Sequence, residues 1–167
     1  TKVTDAYFVC SGSFRSEQWF TEHRQHIKLH SGDISFLSCC VGGYLTGHPL
    51  EMRFARKLAW VEEVIAAVGD TQIHRLAAMY LTLSIRTLLS DSPVVVRKLH
   101  EIQDTAVSRI RHLVPKLEHH LGTIKIESFT PGDMRDHTDR AIEARALVVG
   151  YPPTDGTTRY RKESVFE

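Results

Sequence analysis

The chain has 167 residues, of which 42% are hydrophobic and 25% are charged, and these proportions are typical of globular proteins. This length suffices for one domain, or for two small helical subdomains, with a hydrophobic core. The composition excludes intrinsically disordered and fibrous proteins. Because the net charge is only +1, binding to nucleic acid or anionic lipid would require local clusters of Lys and Arg.

The chain shows no signal for a membrane or for secretion. No apolar run approaches the roughly 20 residues that span a bilayer, and the first residues lack the basic and apolar regions of a signal peptide. The three cysteines, Cys10, Cys39 and Cys40, are odd in number and two are adjacent, which does not suit a disulfide framework. We expect a protein of a reducing compartment that does not cross a membrane.

Two helices are predicted in the first 46 residues. Ser16 can cap the first helix, which ends near His30. Asp33 can cap the second, over residues 34–46, which is apolar nearly all round and is therefore expected to be buried on most sides. Gly42 and Gly43 within it indicate close helix packing.

Three more helices are predicted in the middle of the chain. Pro49 suits the first turn of a helix over 49–68, which Gly69 ends, and a further helix spans about 70–89. Ser92 and Pro93 then begin a long helix that continues to Gly122, with a kink or a break at Pro115.

The remaining residues predict one more helix. Residues 123–129 alternate between apolar and polar like a short strand, but without a pairing partner they indicate an extended connection. Thr130 and Pro131 can begin a helix that reaches about Val148. Residues 151–167 have the composition of a linker or a frayed end. The sum is an all-α protein of six helices or more.

The motifs of common enzymes are absent from the sequence. Neither of the glycine-rich phosphate-binding patterns occurs, and no acid-base pair stands out. Cys39 and Cys40 lie in the most apolar stretch, where thiols are inert packing groups. We therefore predict no catalytic residues, no cofactor and no enzymatic activity.

A cluster of histidines allows one alternative. His23, His26 and His30 would share one side of the first predicted helix, a geometry able to bind zinc. The glutamate of the H-E-x-x-H motif is absent, and ordinary surface or partly buried histidines explain the same pattern. We predict no metal site, and a small helical metalloenzyme remains the least favoured hypothesis.

Basic residues mark the candidate binding surface. Arg53, Arg56 and Lys57 are spaced to lie on one side of the predicted helix over 49–68. They favour either contact with anionic lipid or phosphate, or an ordinary solvated face. Arg97 and Lys98 form a smaller basic spot of the same kind.

The order of the segments from Ser35 to Tyr80 resembles the matrix protein of orthomyxoviruses. The shared features are a buried apolar helix with glycine, a break at proline, an arginine-containing helix, a turn, and a helix with Ala and Tyr. The chain is most similar to a divergent, thogotovirus-like member rather than to the influenza A or B proteins. It lacks the dense run of basic residues found in those proteins, since Arg75 and Arg86 are the only Lys or Arg residues within 73–89. No cysteine follows Cys40.

The resemblance implies two small helical bundles joined by a linker helix. The corresponding boundaries are an N-terminal subdomain over 1–47, a linker helix over 48–69, a second subdomain over 70–150, and a tail or linker over 151–167. It also implies a structural protein that assembles with itself under a viral envelope, binds anionic membrane peripherally and bridges to the ribonucleoprotein. A helical adaptor that binds nucleic acid or nucleoprotein is the alternative.

The resemblance also implies a location and partners. The expected partners are other copies of the chain, an anionic membrane surface, the viral ribonucleoprotein and RNA. The expected locations are the virion, beneath its envelope, and the host cytoplasm, inner plasma membrane and nucleus.

Overall fold

A computed structural model describes residues 3–85 and 92–150, which form two compact units. The first unit consists, in its described part, of residues 3–51 and 120–150, and the second of residues 52–85 and 92–119. We name them the α/β unit and the helical unit. The helical unit is thus inserted between two parts of the α/β unit in sequence.

The α/β unit contains a four-stranded parallel sheet with the strand order β3-β2-β1-β4. Its strands are β1 (Asp5–Val9), β2 (Lys28–Asp33), β3 (Ser128–Pro131) and β4 (Leu147–Gly150). The register places Tyr7 opposite His30 of β2 and Val148 of β4, and His30 opposite Ser128 of β3. Chain order therefore runs from β1 toward β2 and β3 and then returns to the other side of β1.

Six α-helices and one 3₁₀ turn accompany the sheet in the described part of the chain. The α-helices are α1 (Arg15–His23), α2 (Phe36–Leu45), α3 (Trp60–Val68), α4 (Gln72–Ile85), α5 (Pro93–Gly122) and α6 (Met134–Glu143), and the 3₁₀ turn is Arg56–Leu58. Two α-helices begin at a side-chain cap. The Ser35 hydroxyl accepts the Ser38 N–H at 3.2 Å, and the Asp133 carboxylate accepts the Arg135 N–H at 2.8 Å, which satisfies N–H groups that have no partner within the helix.

The core of the α/β unit lies on one face of the sheet. Ala6, Phe8 and Leu29 are buried there, and Phe20 of α1 meets the Phe8 ring edge-on at 5.0 Å between centroids. A Cβ atom on Gly42 of α2 would overlap the Phe129 ring of β3. Gly42 is therefore closely packed, but against a strand and not against the helix that the sequence predicts.

The core of the helical unit is formed by one face of each of its helices. Val61 and Ile65 of α3, Ala77 of α4, and Ala106 and Ile110 of α5 are all fully buried in one cluster. At its surface, Arg75 donates to Asp70 at 2.7 Å and to Glu62 at 3.2 Å. The predicted helices over about 70–89 and 93–122 are confirmed within the described residues, and α5 passes through Pro115 without ending.

The predicted all-α fold of two helical bundles is wrong because four short segments form a parallel sheet. Strands of parallel sheets often lack apolar-polar alternation, as the sequences DAYFV of β1 and LVVG of β4 illustrate. Residues 128–131, predicted as an extended connection and a helix start, are a strand that pairs with β2. The first predicted helix includes the start of β2, but the observed helix ends at His23 instead of His30.

The predicted linker helix over 49–68 is present only in its second half. Residues 50–55 form no helix, Arg56–Leu58 form the 3₁₀ turn, and α3 begins at Trp60. The tail predicted over 151–167 lies outside the described residues, as does the end of the helix predicted to reach residue 89. No helix in the described residues is long and apolar enough to cross a membrane.

Candidate functional site

The carboxyl ends of β1, β2 and β3 meet at one edge of the sheet, which we name the carboxyl edge. In open parallel sheets, ligands bind outside this edge, at the point where the strand order reverses. Here the reversal lies at β1, because β2 and β4 flank it on opposite sides. The topology therefore directs attention to the loops that follow these strands.

The loop after β1, residues 10–14, has an unusual backbone. Cys10, Gly12 and Phe14 all have left-handed φ angles, of 65°, 57° and 58°, which are costly for residues other than glycine and tend to cluster at functional sites. The loop is held in place from outside, since the Ser38 hydroxyl donates to the Gly12 carbonyl at 3.0 Å and the buried Phe14 ring anchors its end.

Asp33, the last residue of β2, ties this loop to the start of α2. One carboxylate oxygen accepts the Gly12 N–H at 2.8 Å, and the other accepts the Ser35 N–H at 2.8 Å. The Asp33 residue is only 3% exposed, so the two N–H groups replace water as partners of its carboxylate. Asp33 therefore positions the loop.

The loop after β3 joins the same group of residues. The Gly132 N–H donates to the Asp33 carbonyl at 3.2 Å, and the Cys10 thiol lies 3.9 Å from the Met134 sulfur. Burial raises the pKa of the Cys10 thiol, and the carboxylates of Asp33 and Asp133 raise it further. A thiol with a raised pKa is a poor nucleophile at neutral pH, so Cys10 acts as a contact group.

Two apolar side chains are exposed at the carboxyl edge. Ile34, directly after β2, is 69% exposed, and Met134, three residues after β3, is 44% exposed. Ile34 and Met134 lie close to Asp33 and Gly132 in sequence, and a hydrogen bond connects those two residues. No atom lies within 4 Å of the position where Gly132 would carry a Cβ. The edge thus presents two exposed apolar side chains beside an uncrowded glycine.

A buried carboxyl group and a buried imidazole support the edge from the two faces of the sheet. Glu17 of α1 is fully buried and accepts the Ser31 hydroxyl at 3.0 Å, and burial raises its pKa. On the other face, His137 of α6 is 5% exposed and donates from Nε2 to the His30 carbonyl at 3.1 Å. Burial lowers the pKa of His137, so the neutral ring is favoured.

The predicted binding residues lie elsewhere. Arg53 and Arg56 are exposed but precede α3 and do not share one helix, and the side chain of Lys57 lies outside the described part. Arg97 and Lys98 are exposed in the first turns of α5. All five belong to the helical unit, so none of them forms the carboxyl edge.

The histidine arrangement of the alternative zinc hypothesis does not occur. His23 ends α1, His26 lies in the following loop and His30 lies in β2, so the helix that would have aligned them is absent. Among residues 3–85 and 92–150, no group of three or more His, Cys, Asp or Glu side chains is arranged to hold a metal ion.

Sequence comparison identifies a relationship that covers nearly the whole chain. The profile of a family described as "Phage DNA Adenine Methylase-like domain 1" matches residues 1–162. No curated protein and no solved structure gives a significant match.

This match overturns the resemblance to orthomyxovirus matrix proteins. The predicted functions of a structural layer protein without enzymatic activity are wrong for the same reason. The resemblance rested on the order of helices, a pattern that unrelated helical segments share, whereas the strands that distinguish the fold were missed.

Proposed function

Because the chain belongs to the phage DNA adenine methylase-like domain 1 family, we propose that it transfers a methyl group from S-adenosylmethionine to an adenine base of DNA. The observation that carries this proposal is the convergence of three loops on Asp33 at the carboxyl edge. A parallel sheet with a reversal of strand order places its ligand at such an edge.

The residues at the carboxyl edge suit S-adenosylmethionine. This cofactor, when bound, supplies an activated methyl group on a sulfonium sulfur. Ile34 and Met134 offer exposed apolar surface on which a flat purine ring would lie. No neighbouring heavy atom lies within 4 Å of the position of a Cβ on Gly132, so the cofactor could approach the backbone closely there.

Asp33 contributes by holding the site in shape. Its two hydrogen bonds to Gly12 and Ser35 fix the left-handed loop in advance of binding, so the loop need not be ordered when the cofactor arrives. Enzymes that modify a base first extrude it from the duplex. The protein must therefore also grip DNA outside the cofactor site.

The proposal is tested by incubating the protein with duplex DNA and S-adenosylmethionine and measuring methyladenine by mass spectrometry after digestion. We expect methyladenine with the unmodified chain, and at least a tenfold lower rate with Asp33→Ala because the loop after β1 loses its tie to the start of α2. Asp139→Ala is the matched control, since Asp139 is an exposed carboxylate on α6.

Cofactor binding, measured by calorimetry, completes the test. Asp33→Ala should weaken binding of S-adenosylmethionine while Asp139→Ala should not. A chain that binds DNA and S-adenosylmethionine but yields no methyladenine would contradict the proposed transfer reaction.

A further inference from the structure

Three exposed cations form a line along α5, the longest helix in the described residues. They are Lys98, Arg109 and Lys116, and all three side chains are exposed. Separations of 11 and 7 residues correspond to about three and about two helical turns, so the three lie within roughly 20° of one line. The line is about 27 Å long at 1.5 Å per residue. We name these three residues the α5 strip.

Two of the three acidic residues of α5 lie away from the strip. Asp104 is displaced by roughly 120° from Lys98 around the helix, and Glu118 lies nearly opposite Lys116. The third acid, Glu101, lies roughly 60° from Lys98, and its carboxylate is 3.9 Å from the Arg97 guanidinium. The strip is therefore a line of three positive charges, with one acidic neighbour, on a helix whose charges are otherwise mixed.

The apolar face of α5, centred roughly 80° around the helix from Lys98, excludes a membrane as the natural partner of the strip. Ala106 and Ile110 are buried in the core of the helical unit, and Ile102, Leu113 and Leu117 pack against the same core. A helix that binds a membrane surface inserts its apolar face between the lipids. Between Ile102 and Leu117 that face is already occupied, so the strip can offer only its charges.

We propose that the α5 strip contacts the phosphate backbone of the DNA substrate. The inference rests on the proposed function, which requires a DNA duplex as partner. Lys and Arg side chains spread over about 27 Å can meet several phosphates, which position the protein on the duplex independently of base sequence. Lys116 joins the line because α5 continues through Pro115.

The test measures binding of a fluorescent DNA duplex by anisotropy, without cofactor, over a range of salt concentrations. The strip variant carries Lys98→Ala, Arg109→Ala and Lys116→Ala. The control variant removes three other exposed cations through Arg97→Ala, Arg111→Ala and Lys125→Ala. Two of these lie on other flanks of α5, and the third precedes the amino end of β3. Circular dichroism verifies that both variants are folded.

We expect the strip variant to bind DNA at least tenfold more weakly at moderate salt, and its plot of log affinity against log salt to be less steep by roughly 2 to 3, since each lost phosphate contact removes about 0.9. The control should change the slope by less than 1. Equal losses in the two variants, or no loss in either, would overturn the proposal. So would a strip variant that loses binding to vesicles of anionic phospholipid while its DNA affinity is unchanged.

Methylation assays separate this inference from the proposed function. The strip variant should need more DNA to reach half of its maximal rate but should retain that rate, because the strip contributes only binding. Asp33→Ala should lose rate with its DNA affinity unchanged. If the chain binds DNA through the strip but yields no methyladenine, only the reaction is wrong. If it methylates DNA and the strip variant binds normally, only the strip is wrong.

Discussion

The α/β unit and the helical unit assemble their functional surfaces in different ways. In the α/β unit, Gly12, Asp33 and Gly132 lie at the ends of three strands far apart in sequence, and hydrogen bonds through Asp33 bring them together. In the helical unit, the proposed DNA surface belongs to one helix and follows from its 3.6-residue repeat. The first surface depends on long-range pairing, and the second depends on local structure, so the two should respond differently to mutation.

The largest expected effect is on the core of the α/β unit. Phe8→Ala removes a buried ring that packs between the sheet and α1 and should lower the free energy of unfolding by about 3 to 5 kcal/mol. The two tryptophans of the chain, Trp19 and Trp60, lie in different units. Urea unfolding followed by fluorescence in a Trp60→Phe background therefore reports on the α/β unit alone. An equal shift of the Trp60 signal, recorded for Phe8→Ala in a separate Trp19→Phe background, would show that the two units unfold as one.

The matching change in the helical unit is Ile110→Ala. Ile110 is fully buried among the helices, so its truncation should cost about 2 to 5 kcal/mol. Urea unfolding followed by the fluorescence of Trp60 in a Trp19→Phe background measures this change in the free energy of unfolding. We expect cofactor binding to fall less than with Phe8→Ala, because the loops of the carboxyl edge are anchored in the other core. Equal losses of cofactor affinity would contradict the distinction between the units.

A smaller effect is expected at the contact between β2 and α6. A Cβ atom on Gly32 would lie 2.9 Å from the His137 ring, and that ring is buried and cannot move away freely. Gly32→Ala should therefore cost about 1 to 3 kcal/mol, measured by urea unfolding. Gly122→Ala is the control, since no atom lies within 4 Å of its added methyl group, and it should not destabilise the protein.

The cap of α2 contributes less. Ser35→Ala removes the acceptor of the Ser38 N–H and should cost about 1 kcal/mol in the free energy of unfolding. Ser108→Ala, an exposed serine within α5, should change it by less than about 0.5 kcal/mol. An equally large loss of stability with Ser108→Ala would show that the effect of Ser35→Ala does not come from the helix cap.

The smallest effect concerns pH. Burial holds the pKa of His137 below its usual value of 6.5, so the unfolded chain takes up a proton near pH 6.5 that the folded chain resists. Stability should therefore fall as the pH is lowered from 7.5 through 6.5. His137→Gln should reduce this dependence in urea unfolding, and an unchanged dependence would exclude His137 as its source. Glu17 acts in the opposite sense. Because its pKa is raised, the folded protein becomes more stable as the pH falls toward 4.5.

The sequence predicted the helical unit better than the sheet. Apolar residues recur at helical spacing within α4 and α5, so these helices can be predicted without knowledge of distant partners. The strands β1 and β4 are short apolar runs without alternation, and a parallel pair is recognisable only from the strand beside it. Residues 123–129 do alternate between apolar and polar. The partner of β3 is β2, however, and the sequence pattern predicts a helix over the start of β2.

The site was missed for a related reason. Asp33 was assigned as a helix cap, but Ser35 is the cap and the Asp33 carboxylate reaches back to Gly12. The signal available in sequence was Ser11-Gly12-Ser13 directly after an apolar run, a strand followed by a tight turn. It matches no glycine-rich phosphate motif, so spacing alone could not identify it.

The insertion of the helical unit between α2 and β3 also affects the order in which the protein can form during synthesis. At translation rates of 5 to 20 residues per second, β3 leaves the ribosome roughly 5 to 20 seconds after β2. The helical unit is complete within this interval, while β2 still has an unpaired edge. Nascent chains should therefore acquire their helical core first, and the carboxyl edge can close only after residues 128–150 have been synthesised.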